Sequence, residues 1–215
     1  MSAISTFELQ VMQCSRTFSG KKPIFPPIDL TLTNQEIKGI TGNNGSGKST
    51  LVKMIAGLLQ PSTGTISLKI NDKEIDSEHI PMHCGLVSPY LHMYEEYSPR
   101  EHARLFCDLS GIPFDEQYHE SLLKLLGMNE KGDEYIRTFS SGMKQRIKYA
   151  LALIRKPHIL LLDEPTANFD EHGIEAFKNI IALHIKRGGG IIIATNESQE
   201  AALCDKTIAL SSVIS

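Results

Sequence analysis

The residues Gly42-Asn43-Asn44-Gly45-Ser46-Gly47-Lys48-Ser49-Thr50 bring three glycines, one lysine and three hydroxyls together in one short stretch. Glycines let successive backbone N–H groups turn toward one point and form an anion nest, and a helix starting there adds its partial positive end. The spacing is G-x-x-x-x-G-K-[ST]. It lies between an apolar run, Ile37–Thr41, and apolar residues at helical spacing, Leu51, Val52, Ile55, Leu58 and Leu59. Such a loop holds nucleotide phosphates: Lys48 would bridge the β- and γ-phosphate oxygens, and the Ser49 hydroxyl would ligate Mg²⁺. A second chemical site follows in His158-Ile159-Leu160-Leu161-Leu162-Asp163-Glu164, a buried strand ending in two carboxylates. Ligands of open α/β sheets bind at the carboxyl ends of strands. Asp163 would hold the Mg²⁺ through its water shell, and Glu164 would face the γ-phosphate and polarise the attacking water. By itself such a strand end reads equally as a pair of solvated acids; the phosphate loop in the same chain decides between the two.

Positioning these groups requires strands and helices in alternation. Phe7, Leu9 and Val11, then Ile28, Leu30 and Leu32, are apolar at period two and predict half-buried strands. Turn chemistry separates them at Ser19-Gly20-Lys21-Lys22-Pro23 and Pro26-Pro27. Ile37–Thr41 predicts a strand running into the glycine loop, the helix after it stops at Pro61, and 65–70 predicts another strand. Ser98-Pro99-Arg100-Glu101 is a capping box with proline at the first helical position. The helix it starts carries Ala103, Leu105, Phe106 and Leu109 and ends near Gly111. Further helices are predicted over 116–126, ended by Gly127, and over 141–154, ended by Pro157. The continuous apolar runs 159–162 and 191–194 predict strands buried on both faces of a parallel sheet, joined by a crossover helix over Glu171–Lys186. The expected architecture is α/β with an inserted helical block of roughly sixty residues.

Bulk properties exclude several classes. The chain has 215 residues, 41% apolar and 22% charged, enough for one globular domain or two small ones. Lys plus Arg (22) nearly balances Asp plus Glu (25), for a net charge of −3, which argues against a dedicated nucleic-acid binder. Apolar runs such as 159–162 fall far short of the ~20 residues that span a bilayer. Met1-Ser2-Ala3-Ile4-Ser5 lacks the basic-then-apolar pattern of a secretory signal. Cys14, Cys84, Cys107 and Cys204 lack paired spacing and are expected to be reduced core thiols in a cytosolic protein. The eight histidines show no metal-ligand spacing and are expected mostly at the surface.

Phe139-Ser140-Ser141-Gly142-Met143-Lys144-Gln145-Arg146, placed just before the Asp163-Glu164 strand, resembles the signature motif of ATP-binding cassette (ABC) ATPases. Family members usually read Leu-Ser-Gly-Gly-Gln there, and Ser-Ser-Gly-Met is similar to the form in some exporter subunits. Physically, Ser140 and the glycine-opened turn at Gly142 start a helix and so make a second anion site. The resemblance runs from about Phe7 to Leu210. It implies the ABC ATPase fold: a P-loop NTPase core with a parallel sheet, an N-terminal antiparallel β subdomain and an inserted helical subdomain. One domain would cover 1–215, with the core at about 1–88 and 156–215 and the helical subdomain at 89–155.

The same resemblance implies a Mg²⁺-dependent ATPase with ATP and Mg²⁺ as cofactors. The nucleotide would be held by Gly42, Asn43, Asn44, Gly45, Ser46, Gly47, Lys48, Ser49 and Thr50, and by Phe18, which sits where the family stacks an aromatic on adenine. On its own Phe18 reads as a loop anchor. Ser49 and Asp163 would ligate the metal, with Glu164, Lys48 and Asn196 as the catalytic set. Ser140, Ser141 and Gly142 would act from a second cassette packed head to tail, in a homodimer or heterodimer. Pro165–Asp170 resembles the stretch carrying the D-loop, which contacts that second cassette, and Gly57–Gly64 the usual sequence after the phosphate helix. Hydrolysis would drive transport, with the signature leaning to export, through an integral membrane permease on a separate chain. The protein would then be cytoplasmic, peripheral on the inner face of the cell membrane, with no nucleic acid bound.

Two positions depart from the family pattern. Asn196, in Ala194-Thr195-Asn196-Glu197, stands where the switch histidine is usual; its amide donates hydrogen bonds but carries no charge and relays no proton. Pro89, in Val87-Ser88-Pro89-Tyr90, aligns with the Q-loop glutamine, and Ser88 would substitute only with a one-residue shift of the loop. The expectation is slow hydrolysis sustained by Glu164, with weaker γ-phosphate sensing. Residues 90–97, Tyr-Leu-His-Met-Tyr-Glu-Glu-Tyr, lie where the family docks its membrane partner, and aromatics rimmed by acids suit an interface as well as packing on the chain's own helices. Three other classes share parts of this pattern. A soluble cassette of DNA repair or translation is disfavoured by length and charge, and a phosphotransfer kinase by the signature. A degenerate cassette that binds ATP without turnover is kept open by Asn196 and Pro89. The transported cargo leaves no mark in such a chain.

Overall fold

Alternating apolar residues need a second surface to bury against, and the protein supplies it with two sheets and the helices between them. The computed structural model describes residues 4–18, 22–167 and 169–211. In its first half the chain runs β1 (Phe7–Ser15), β2 (Ile28–Thr33), β3 (Ile37–Thr41), α1 (Lys48–Ile55), β4 (Thr63–Ile70), β5 (Lys73–Ile75) and β6 (Cys84–Val87). Then follow α2 (Pro99–Leu109), α3 (Glu116–Leu125), α4 (Ser141–Leu153), β7 (Ile159–Asp163), α5 (Glu171–Lys186), β8 (Gly190–Thr195), α6 (Ser198–Ala201) and β9 (Lys206–Ala209). Short 3₁₀ turns occupy Ser77–His83 and Ile136–Thr138.

The period-two stretches form an antiparallel sheet of order β2-β1-β4-β5. Leu9 opposes Leu32 on one side and Leu68 on the other, and all three are fully buried. The β4–β5 hairpin turns on Asn71 and Asp72, both at positive φ (50° and 62°), the hand that a two-residue hairpin requires. The second sheet is parallel, in the order β6-β7-β8-β3-β9. Its strands β7 and β8 are apolar up to their last residues because both faces are covered. Ile159, Leu161 and Ile192 join the core formed with Leu51 and Ile55 of α1 and the antiparallel sheet. Leu160, Leu162, Ile191 and Ile193 join the other core, with Ile147 and Tyr149 of α4 and Phe177 and Ile180 of α5. In register, Ala194 of β8 lies between Ile40 of β3 and Asp163 of β7, so the glycine loop and the acidic strand end open on the same edge.

Between β6 and β7 the chain forms the helical block α2–α4. The predicted capping box is present: Ser98 Oγ accepts from Glu101 N (3.2 Å), and Ser98 N donates to Glu101 Oε2 (2.8 Å). Asp115 and Ser140 cap α3 and α4 through the side-chain half alone, accepting from Tyr118 N and Met143 N. The strands β5, β6 and β9 were not foreseen, since three- and four-residue runs carry too little periodicity to read.

The four cysteines are free, three of them buried, and burial pushes the Cys84 thiol up to about 12. The expectation of surface histidines is corrected: His102, His119 and His184 are buried, with His102 and His119 against the aromatic rings of Phe106 and Phe114. A neutral imidazole is apolar enough to serve as core filling. Glu116, His119 and Glu120 fall together on α3, at a spacing the sequence reading passed over. Arg100 forms ion pairs with Glu116, Glu120 and Asp133 there, so a guanidinium already balances the acids. Among the described residues no helix is long and apolar enough to cross a membrane. Ser19, Gly20 and Lys21 of the predicted turn, Met1–Ala3 of the N-terminus and Asn168 of the D-loop stretch lie outside the described residues.

Candidate functional site

The loop after β3 takes its shape from glycine. Gly42 and Gly47 sit at φ +148° and +99°, conformations that L side chains rarely adopt. A Cβ at Gly47 would come within 2.5 Å of the Phe25 ring, and one at Gly42 would strike the Leu210 carbonyl. Gly47 caps α1 without a side-chain partner, so the first-turn N–H groups of the helix stay available to an anion. Lys48, 5% exposed, folds back over the loop and donates to the carbonyls of Gly42 (2.8 Å) and Asn43 (3.2 Å). The Ser46 hydroxyl is buried in the loop with no partner among the described residues. A loop with free N–H groups, an orphan hydroxyl and a buried ammonium fits a phosphate group. Thr50 continues α1 one position after Ser49.

Asp163, 1% exposed at the end of β7, is reached by two hydroxyls. Ser49 Oγ donates to its Oδ1 at 3.0 Å, and Ser88 Oγ to its Oδ2 at 3.3 Å. Burial pushes the Asp163 carboxyl up, against the two hydrogen bonds and, more weakly, the charges of Lys53 and Lys48. Two hydroxyls around a desolvated carboxylate suit a small hard cation. The Ser88 contact corrects the sequence expectation: no loop shift is needed, because the residue that follows β6 already faces β7, while Pro89 is exposed. Lys148 of α4 donates to the Ser88 carbonyl (3.2 Å), and burial lowers its ammonium.

Glu164 follows in the left-handed region, φ 48°, with its N–H on the Ala194 carbonyl (2.9 Å). It lines an open cleft of about 540 Å³ together with Asn44, Thr166, Asn196 and Glu200. Asn196 Nδ2 donates to Asn44 Oδ1 (3.2 Å), so the residue in place of a histidine does face the phosphate loop. Glu200, 4% exposed, accepts from the Thr166 N–H (3.0 Å) and from the Thr166 hydroxyl. Sequence reading missed Ser88 as a direct partner of Asp163, and missed Lys148 and Glu200. For Glu200 the faint signal was its place four residues after Asn196.

The other predicted nucleotide residues lie elsewhere. Ser140 caps α4, accepting from Met143 N (3.3 Å), and Ser140 and Ser141 are exposed. Neither they nor Gly142 line the cleft; Ser141 borders a separate hollow with Pro89 and Lys148. Phe18 is 45% exposed and carries the Arg16 guanidinium 4.8 Å over its ring. Residues 90–97 divide: Tyr94 and Tyr97 pack against His102 of α2, Tyr90 and Tyr94 remain about two-thirds exposed, and Leu91 and Met93 line an apolar groove of about 240 Å³ with Leu58 and Phe106.

Comparison with known proteins agrees with this geometry. The family model for ABC transporters matches residues 25–167. The chain is 32% identical to the ABC transporter ATP-binding protein NatA of Bacillus subtilis, over 95% of this chain and 86% of that one. It is 29% identical to the Nod factor export ATP-binding protein I of Bradyrhizobium diazoefficiens, over 97% and 69%. Among solved structures it resembles the ATP-binding subunit of an ABC transporter, with TM-score 0.82, 27% identity and 94% and 85% coverage. It also resembles cbiO1 from Clostridium perfringens, part of the ABC transporter complex cbiONQ, with TM-score 0.79, 26% identity and 100% and 88% coverage. A glycine loop and acidic strand end meeting on one edge of a parallel sheet, in a chain matched along most of its length, place this protein in the ABC transporter family, among its ATP-binding proteins.

Proposed function

We propose that this chain is the Mg²⁺-dependent ATP-hydrolysing subunit of an ABC transporter, acting as one of two head-to-tail cassettes beneath a permease carried on a separate chain. The observation that carries the reading is the 3.0 Å contact of Ser49 with Asp163 beside Glu164, which joins the phosphate loop to the acidic strand end. Lys48 uses two of its three N–H donors on loop carbonyls and keeps one for a phosphate oxygen. Mg²⁺, held by Ser49 and Asp163, would supply positive charge at the phosphates. Glu164 orients the attacking water and takes its proton. Asn196 offers its amide N–H to the γ-phosphate side of the cleft. Phe18 serves as the adenine platform.

The exposed Ser140-Ser141-Gly142 helix start lies off the chain's own cleft, which supports its use by a second copy or a homologous cassette. One ABC domain over 1–215, with 89–155 as the helical subdomain, fits this arrangement. The groove bordered by Leu91, Met93 and Phe106 has the apolar lining to take one or two side chains projecting from a helix of the permease. The protein would therefore lie at the cytoplasmic face of the membrane. Export is supported by the Ser-Ser-Gly-Met signature and by relatives named for Nod factor export.

The test is ATP hydrolysis by the purified chain against its own concentration, with and without Mg²⁺. Specific activity is expected to rise with concentration and to require Mg²⁺. Glu164→Gln should lower turnover by a factor on the order of 10²–10⁴ while ATP still binds. Binding without turnover at every concentration would replace this reading with that of a non-hydrolysing nucleotide-binding partner.

A further inference from the structure

A buried carboxylate is costly unless its oxygens are hydrogen-bonded, and it usually pairs with a cation. Glu200 does neither in the usual way. It is 4% exposed and forms no ion pair among the described residues. Its two hydrogen bonds converge on one residue, Thr166, whose N–H (3.0 Å) and hydroxyl both reach Oε1. Its other oxygen, Oε2, is buried without a partner among the described residues. A residue kept only to glue α6 to the body would serve better as a leucine. We infer that Glu200 is a positioning residue: through Thr166 it holds the Glu164 turn in place and ties it to the phosphate loop.

The turn needs holding. Glu164 sits at φ 48°, a left-handed conformation that a non-glycine residue keeps only when its surroundings over-determine it. Each of the three residues of the turn is pinned by a different element. β8 holds Glu164 through the Ala194 carbonyl (2.9 Å). α4, the helix headed by Ser140, holds Pro165, whose carbonyl accepts from the buried Tyr149 hydroxyl (2.9 Å). α6 holds Thr166 through Glu200. Four residues before Glu200, Asn196 touches Asn44 of the phosphate loop. Two hydrogen-bonded contacts, Asn44–Asn196 and Glu200–Thr166, are joined by the backbone from Asn196 into α6 and from Thr166 back to Glu164, which makes a path from the phosphate loop to Glu164. A displacement of Asn196 at the phosphates is transmitted to the carboxylate that orients the water.

This inference rests on the reading of Glu164 as the base, and the experiment separates the two. Glu200→Ala, Glu200→Gln and Thr166→Val are compared with the parent for kcat and KM, nucleotide affinity and backbone amide exchange. A glutamine side chain keeps the oxygen that accepts from Thr166, so it is the rescue variant. Glu200→Ala is expected to lower kcat by about 10- to 100-fold, the scale of an ångström's misplacement, with KM and nucleotide affinity nearly unchanged. Glu200→Gln should recover most of that loss, and Thr166→Val should lose less than Glu200→Ala. Amide exchange in Glu200→Ala should quicken at 164–167 and not across the β7 and β8 cores. Unchanged turnover in Glu200→Ala beside an active parent overturns the inference, as does a loss of nucleotide affinity with exchange raised throughout. A parent as inactive as Glu164→Gln overturns the functional reading instead. The exchange at 164–167 then decides the clamp by itself, and no change there refutes it.

Discussion

Asp163 shows how a single residue is set against its own fold. The strand delivers its carboxylate to a site where it is 1% exposed, and desolvation raises its affinity for a proton. An ionised group in that place destabilises the nucleotide-free protein and favours whatever cation can join Ser49 and Asp163. Asp163→Asn keeps the shape without the charge: its amide oxygen accepts from one of the two hydroxyls, and its NH2 donates to the oxygen of the other. It is expected to raise the thermal midpoint of the free protein by about 2–4 °C, equivalent to roughly 1 kcal/mol at this size. The same variant should remove any Mg²⁺ dependence of nucleotide binding. A midpoint lower than the parent's in calorimetry would contradict that account of the desolvated carboxylate.

At the scale of elements, α2 is fixed mainly by its start. Both halves of its capping box are made, and Ser98 is 4% exposed, so no water replaces its hydroxyl if it is lost. Ser98→Ala should destabilise the protein by about 1 kcal/mol and lower the midpoint by about 2–4 °C. A loss within error would mean that packing of Ala103 and Cys107 alone orders the helix. α4 carries more roles than any other helix: its N-terminus presents Ser140 outward, Lys148 holds Ser88, and Tyr149 holds Pro165. One rigid rod thus meets both the predicted cassette interface and the turn after Glu164.

Across the whole molecule, pH acts through a half-buried and a buried imidazole that do not line the cleft. His158 faces His83, Nδ1 to Nδ1 at 3.3 Å, and burial with that neighbour pulls His158 down to about 4. His184 falls to about 4 through burial and the charge of Arg187. Between pH 6.5 and about 4 the unfolded chain binds protons that the folded one refuses, so stability rises with pH in that window and is lost on acidification. Thermal midpoints should fall as pH drops from 6.5 toward 4, and His158→Gln should shallow that slope relative to the parent. Parallel curves for the two proteins would show that His158 does not contribute.

The features legible in the chain alone are local. The glycine loop, the acidic strand end, the helix caps and the two-faced apolar strands are each written within about ten residues, because backbone hydrogen bonding, side-chain period and glycine's dihedral freedom act at that range. From these the α/β order and the family could be read. Tertiary structure decided what depends on distant partners. Ser88 and Asp163 are 75 positions apart, and only the pairing of β6 with β7 brings the Ser88 hydroxyl to the acid. Thr166 and Glu200 are 34 apart, and their contact depends on how α6 lies against the turn. The burial of His102, His119 and His184 likewise follows from the helices that close over them. Composition allowed those histidines to sit on either side of the surface, and packing alone chose.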